Sequence, residues 1–219
     1  ETVPERIEAF DISNFGDENI TAGMVVYENG KPKKSDYRLF HIKSVSGRDD
    51  YASMRETVSR RIAHLGDKDA VRPDLLLIDG GEAHRSAAAE VLAAAGEEIP
   101  VFGMVKDEYH KTRALVGKDG EISIAAERSV YTLIYKIQEE VHRFTVSKMS
   151  AAKRKTAKTS VLESVRGVGK ARARALLARF GGLAGVKAAD KESLCTVPGI
   201  TPETADRILQ FFQKKPHGS

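Results

Sequence analysis

The stretch Asp74-Leu-Leu-Leu-Ile-Asp-Gly-Gly81 decides the fold class. Its unbroken apolar run, Leu75 to Ile78, reads as a strand buried on both faces, and such a strand needs a parallel neighbour reached through a crossover helix. The helix follows at once, with Ala83, Ala87, Val91, Leu92 and Ala95 at core spacing. Asp79 therefore stands where a buried strand meets a Gly-Gly turn, the end of an α/β strand at which ligands bind. Two roles fit it locally: a ligand, or the N-cap of the helix.

Upstream, Glu5-Arg-Ile-Glu-Ala-Phe-Asp-Ile-Ser-Asn14 holds Ile7, Ala9, Phe10 and Ile12, enough for a strand with at least one face in a core. Its acid, Asp11, falls where that strand should end. A carboxylate buried without a partner is strongly destabilising or gives up its charge. Asp11 is thus a metal-binding carboxylate, or else a cap or an edge acid facing water. After a turn at Phe15-Gly-Asp-Glu-Asn19, Ile20 to Tyr27 forms a second strand, Asn29-Gly30 a tight turn and Asp36 to Ile42 a third strand, giving an antiparallel meander. Ser46-Gly-Arg-Asp-Asp50 caps a helix with Tyr51, Met54, Val58, Ile62 and Leu65 on its apolar stripe and Arg55, Arg60 and Arg61 off it.

Downstream, Ile99 to Lys106 is another buried strand, and Lys106 at its end fits either a phosphate contact or an ordinary surface position. The polar loop Asp107 to Arg113, with a solvated His110, leads to a hairpin through Gly117 and Gly120. From Ser129 to Met149 a long helix carries the stripe Leu133, Ile134, Ile137, Val141 and Phe144. His142 lies beside that stripe and can face inward at the rim of a core, as a ligand or as a packed side chain. Gln138 and Thr145 share its side of the helix.

Charge divides the chain. The formal net charge is +4, but residues 1–147 hold 20 Lys+Arg and 26 Asp+Glu, a net −6, while residues 148–219 hold 15 and 5, a net +10. An acidic body with a basic tail points to a polyanion, and nucleic acid fits better than a membrane because no basic amphipathic helix with aromatic anchors is present. No apolar run approaches the ~20 residues of a bilayer span and no signal-peptide pattern opens the chain, which reads as cytoplasmic. The one cysteine, Cys195, suits a reducing compartment. Glu1 in the place of a methionine reads as the start of a fragment.

Residues 148–158, with Lys148, Lys153, Arg154, Lys155 and Lys158 among small residues, read as a basic linker able to track a phosphate backbone. Beyond them lies an internal repeat, Val161 to Gly181 and Ser193 to Phe212. Each copy is a helix, a hairpin of the form apolar-x-Gly-apolar-x and a second helix, and the pair resembles the tandem helix-hairpin-helix domain. Gly167, Gly169 and Gly199 allow close backbone approach, N–H groups at the second helix's start can face a phosphate, and Lys170, Arg172 and Arg174 follow the first hairpin. The second copy has Thr201-Pro-Glu203 there and is expected to bind more weakly. Contacts of this kind hold DNA without reading its sequence.

Together, Phe10-Asp-Ile-Ser13, Gly47-Arg-Asp-Asp-Tyr-Ala52, Pro73 to Gly81, Glu140-Val-His-Arg-Phe144 and the paired hairpins resemble the C-terminal half of the UvrC family, incision nucleases of bacterial nucleotide excision repair. The resemblance implies an α/β fold: an RNase H-like mixed sheet with flanking helices over residues 1–147, then a small all-α tandem helix-hairpin-helix domain over 159–219. It implies an Asp, Asp, His triad at Asp11, Asp79 and His142 that binds metal and catalyses, with Asp50 as a further catalytic acid that also suits a helix cap. Such donors suit Mg²⁺ or Mn²⁺, with one tightly held ion and any second one recruited by the substrate phosphate. The implied activity is incision on the 5′ side of a lesion in double-stranded DNA, by a monomer that meets UvrB, and UvrA indirectly, through regions outside this chain. Lys106, Lys153, Arg154, Lys155, Gly167, Gly169, Lys170, Arg172 and Gly199 are the expected DNA contacts. A junction nuclease or a DNA-binding module outside excision repair is the alternative. Two departures stand out. Gly80-Gly-Glu-Ala-His84 replaces the family's Gly-Gly-Lys-Gly-Gln, with His84 expected to face the groove or solvent, and Gln138-Glu-Glu-Val-His142 replaces Arg-Asp-Glu-Ala-His.

Overall fold

The computed structural model describes residues 3–213 apart from 16–18, 46, 48 and 108–111, and the side chains of Asn14, Phe15, Asn19, Ala152 and Lys155 also lie outside the described residues. The turn expected between the first two strands, part of the Ser46 to Asp50 capping sequence and the loop carrying His110 fall there. Two compact units divide the chain, Glu1–Met149 and Ser150–Ser219.

In the first unit, β1 (Arg6–Phe15) runs antiparallel to β2 (Asn19–Glu28) and parallel to β5 (Leu75–Asp79). Short strands β3 (Lys31–Pro32) and β4 (Arg38–His41) pair with β2, while β6 (Val101–Lys106) continues parallel beyond β5. β7 (Thr112–Gly117) and β8 (Gly120–Ser123) finish the sheet as antiparallel strands. The path is β3-β2-β1-β5-β6-β7-β8, with β4 also on β2. The Leu75 to Ile78 run thus sits in the middle of the sheet, as its lack of polar residues requires. Asn29 and Gly30 both take positive φ, 51° and 72°, the geometry a two-residue turn needs. The meander's last strand is shorter than its apolar pattern suggests. Lys34–Asp36 form a single 3-10 turn instead, and the Asp36 carboxylate accepts from Arg6 Nη1 at 2.8 Å, which ties that segment to β1 rather than to the ladder.

Period-two alternation decides what faces what. Phe10, Leu76 and Ile78 turn to the face covered by α1 (Asp50–Ala63) and α2 (Glu82–Ala94), packing with Met54, Val58, Ala88 and Leu92. Ile7, Ala9, Leu77 and Met104 turn to the other face, against Ile134, Ile137 and Val141 of α3 (Arg128–Glu163). Asp11, Asp79 and Lys106 share the parity of that second set, so strand geometry alone aims all three towards α3.

Several local expectations are corrected. The cap of α1 is Asp49, whose side chain accepts from Ala52 N at 2.9 Å; Asp50 is the first helical residue. In α2, Ala83 and Ala95 are exposed because they sit in the first turn and at the C-cap, and burial falls on Ala87, Ala88 and Leu92. Residues 148–158, expected as a basic linker, are helical and lie within α3; they contain neither Gly nor Pro, and Lys, Arg and Ala favour the helix.

The second unit packs α4 (Lys170–Arg179), α5 (Leu183–Ala188), α6 (Lys191–Cys195) and α7 (Pro202–Gln213) with the end of α3 around Leu162, Val168, Leu176, Leu194, Ile200 and Ile208. The two hairpins turn at Gly167 (φ 94°) and Gly199 (φ 83°). They brace each other. A Cβ on Gly199 would lie 2.9 Å from Arg172 Nε, and one on Gly167 would lie 3.3 Å from Thr204 Oγ1. Arg172 Nη1 also donates to the Gly167 carbonyl at 2.6 Å, so this guanidinium holds the hairpins together as well as lying on the surface. No helix among the described residues is long and apolar enough to cross a membrane.

Candidate metal centre

The position of Asp11 on β1 is matched across the ladder by Gly23 on β2. The absent side chain matters, because a Cβ there would lie 2.1 Å from Thr145 Oγ1. Glycine lets α3 settle directly on the sheet, and three residues before Thr145 the helix presents His142. Its Nδ1 lies 3.3 Å from Asp11 Oδ2 and 4.0 Å from Asp79 Oδ2. One ligand atom from each of Asp11, Asp79 and His142 falls within 4.8 Å of the others, in a cleft of about 390 Å³ walled by Gly80, Gly81, Met104 and Lys106. Asp50 is not in that group.

The two carboxylates are buried, at 8% and 5% side-chain exposure, whereas the His142 ring is 54% exposed. Asp79 is well supported: Oδ2 accepts from Lys106 Nζ at 3.0 Å and Oδ1 from Gln138 Nε2 at 2.8 Å. Its alternative role as a helix cap is excluded, since Gly81 occupies the N-cap of α2. Asp11 is less well supported. Its Oδ2 is buried without a hydrogen-bond partner, the His142 nitrogen lying within ion-pair reach but outside hydrogen-bonding geometry. A buried anionic oxygen with no donor, beside a second carboxylate and an imidazole, is a donor set that fits a hard divalent cation.

Burial, and then the Asp11 charge, push the Asp79 carboxyl above its ordinary range, against the pull of Lys106 and Gln138. His142 is raised too, chiefly by the Asp11 carboxylate beside it, with burial opposing. Cation binding needs both groups deprotonated, so protons compete with it. Because both shifts are upward, affinity for Mn²⁺ is expected to fall as pH drops below neutral, beginning earlier than an unperturbed histidine would dictate. Calorimetric titration with Mn²⁺ from pH 8 to pH 5 checks this; an affinity that stays flat down to pH 6 would contradict it.

Other expected site residues lie elsewhere or are already engaged. Lys106 is in the cleft wall, but its ammonium is paired with Asp79. His84 turns neither into the cleft nor out to solvent: it lies over Gly80, where a Cβ would come 2.7 Å from its Cγ, with its ring 4.8 Å from that of Tyr51. Lys153 and Arg154 are exposed on α3, and Lys170 opens α4 behind Gly169, its N-cap. The side chain of Lys155 lies outside the described residues. Gln138, noted in the sequence only as a neighbour of His142, directly supports Asp79; its i, i+4 spacing from His142 was the available signal.

Residues 1–146 match the family model described as the UvrC RNAse H endonuclease domain. The chain belongs to this UvrC family. Residues 159–214 match a SAM-like helix-hairpin-helix tandem. UvrABC system protein C of Clostridium acetobutylicum is 40% identical over 228 residues, covering 97% of this chain and 37% of the relative. Its counterpart from Thermoanaerobacter sp. is 41% identical over 225 residues, with 96% and 36% covered. The chain therefore spans little more than a third of the length of these UvrC relatives.

Proposed function

We propose that the chain is the part of a UvrC-type enzyme that cuts damaged double-stranded DNA on the 5′ side of the lesion, as a divalent-metal-dependent endodeoxyribonuclease of the cytoplasm. The observation that carries this reading is the convergence of Asp11, Asp79 and His142, from β1, β5 and α3, on one cleft. Asp11 and Asp79 supply hard oxygens and His142 an imidazole. Three ligands among the described residues suit one tightly held ion, Mg²⁺ or Mn²⁺, with any second one dependent on the substrate phosphate. When bound, such an ion stabilises charge on the scissile phosphate and acidifies the attacking water. Lys106, on the cleft wall, can exchange its carboxylate partner for a phosphate oxygen.

The basic tail holds the duplex. Backbone N–H groups around Gly167, Gly169 and Gly199, with Lys170, Arg172 and the exposed Lys153 and Arg154, meet phosphates and leave sequence unread. Lys155 belongs to the same basic run. Asp50 follows the capping residue of α1 and is kept as a secondary acid. Contacts with UvrB, and through it UvrA, belong to the segments of the relatives that lie outside this chain.

The test is metal-dependent nicking of a lesion-containing duplex. Asp11→Ala is expected to reduce nicking at least about 100-fold, because it removes a ligand from the charge-stabilising centre. Nicking that survives the substitution sinks the site assignment. Equal cutting of undamaged junctions would move the reading to a junction nuclease outside excision repair.

A further inference from the structure

The described cavities, ion-pair networks and exposed patches offer one feature with a complete geometry behind it, the amide of Gln138. Building on the metal-centre reading above, we propose that Gln138 is a positioning residue that aims the Asp79 carboxylate, and that Thr112 sets the direction of its amide.

Gln138 is 1% exposed and its side chain has no water to fall back on. Both hydrogens of the amide nitrogen are committed: Nε2 donates to Asp79 Oδ1 at 2.8 Å and to the Met104 carbonyl at 3.2 Å. The amide oxygen accepts from the hydroxyl of Thr112, which is itself buried. The opposite orientation would set Oε1 against a carboxylate oxygen and a carbonyl, two acceptors facing an acceptor. A buried polar group in that state bears its full desolvation penalty with no bond in return. The amide therefore has one orientation, selected jointly by β6, through Met104, and β7, through Thr112.

That orientation has a consequence for the cleft. With Oδ1 of Asp79 held by Gln138, its Oδ2 is left towards His142 and Lys106. Gln138 and His142 are i and i+4 on α3, so the helix that brings the imidazole also brings the clamp for the facing carboxylate. Without the clamp, Asp79 keeps its place on β5 but loses the bond that fixes its rotation, and the ligand atoms no longer present a set geometry. Partners that orient metal ligands in this way alter affinity by about 10–100-fold when removed.

The experiment reads Mn²⁺ binding by the whole 219-residue chain directly, by calorimetry and by the loss of the free-ion electron paramagnetic resonance signal, apart from nicking. Gln138→Leu is expected to weaken Mn²⁺ about 10–100-fold, and Thr112→Val to weaken it in the same direction by less. Nicking by Gln138→Leu should recover its kcat at saturating Mn²⁺ with an unchanged KM for DNA, a split that a merely structural role would not give. Thermal unfolding in a chelator establishes that each variant folds. Should Gln138→Leu fail to fold, Thr112→Val, which replaces the hydroxyl by a methyl of similar size, carries the test. Either folded variant binding Mn²⁺ with wild-type affinity overturns the proposal, as does a kcat loss that saturating Mn²⁺ leaves in place. If the wild type binds no Mn²⁺, or Asp11→Ala binds it undiminished, the metal-centre reading itself has failed and this proposal with it, an outcome told apart by appearing without any change at Gln138.

Discussion

Glu8→Ala is expected to lower the unfolding free energy by about 3 kcal/mol, the lower end of what breaking a buried ion pair brings. Glu8 is fully buried, the third residue of β1, between Val26 on β2 and Leu76 on β5. It lies on the face opposite Asp11. Arg61 of α1 approaches it bidentately, Nε to Oε2 and Nη2 to Oε1 at 2.7 Å each, and Arg6 Nε donates to Oε1 at 3.1 Å. Removing the carboxylate strands two guanidinium groups whose side chains are only 8% and 11% exposed. The loss stays at the lower end because each retains a partner: Arg6 keeps Asp36 at 2.8 Å, and Arg61 keeps the Val71 carbonyl at 2.8 Å. The pairing is not the most stable filling of that space, since well-packed apolar replacements of buried ion pairs are often neutral or better. Glu8→Leu with Arg61→Leu should therefore recover most of what Glu8→Ala loses. Urea unfolding followed by circular dichroism checks both, and a loss under about 1 kcal/mol for Glu8→Ala would show that Arg6 and Arg61 do not depend on Glu8. Mn²⁺ affinity of the folded protein should not change, because the sheet separates Glu8 from the cleft.

The contrast between Glu8 and Asp11 shows what the sequence could reveal. Both are acids on one strand, separated by odd spacing, and alternation sends them to opposite faces. Asp11 could be read because an acid beside a buried apolar run has a known use and because Asp79 ends a second buried strand. The strand expected to end at Asp11 instead runs on to Phe15, held by its pairing with β2, and Asp11 lies inside it, one residue past the last parallel pair with β5. Glu8 could not be read, since its partner Arg61 lies 53 residues away on a helix where it stood off the apolar stripe. The Leu75 to Ile78 run marked a central strand because it is short, apolar throughout and bounded by the Gly80-Gly81 turn, so it needs cover on both faces. The basic run at 148–158 left its conformation open: charge and small size describe a solvated helix as well as an irregular stretch, and only the lack of Gly and Pro pointed to the helix. Asp49 and Asp50 are adjacent acids, and the cap falls to Asp49, whose backbone is extended and whose carboxylate accepts from Ala52 N. His84 has no periodic signal at all, its place over Gly80 and beside Tyr51 being a matter of tertiary contact.

Gly23 is the residue least legible in the sequence, and it carries the second large effect. Gly23→Ala is expected to destabilise the protein by about 1–3 kcal/mol, as overpacking of a filled interior does, and to weaken Mn²⁺ at least about tenfold. The new methyl would lie 2.1 Å from Thr145 Oγ1, 3.1 Å from Thr145 Cβ and 3.2 Å from Phe144 Cδ1. Turning the threonine aside does not resolve this. Its hydroxyl is committed to the Val141 carbonyl at 2.7 Å, the side chain is fully buried, and the Cβ contact moves only with the helix backbone. Relief has to come from α3 lifting off the sheet, and His142 lifts with it, away from an Asp11 oxygen now 3.3 Å distant. Stability and metal affinity should fall together, whereas an ordinary packing defect would lower stability alone. Thr145→Ala removes the closest atom, so in the Gly23→Ala background it should restore part of both quantities while destabilising the wild type. Thermal unfolding and Mn²⁺ titration of the two single variants and the double variant measure that coupling; if their effects simply add, contact between position 23 and Thr145 is not what seats α3 over the cleft.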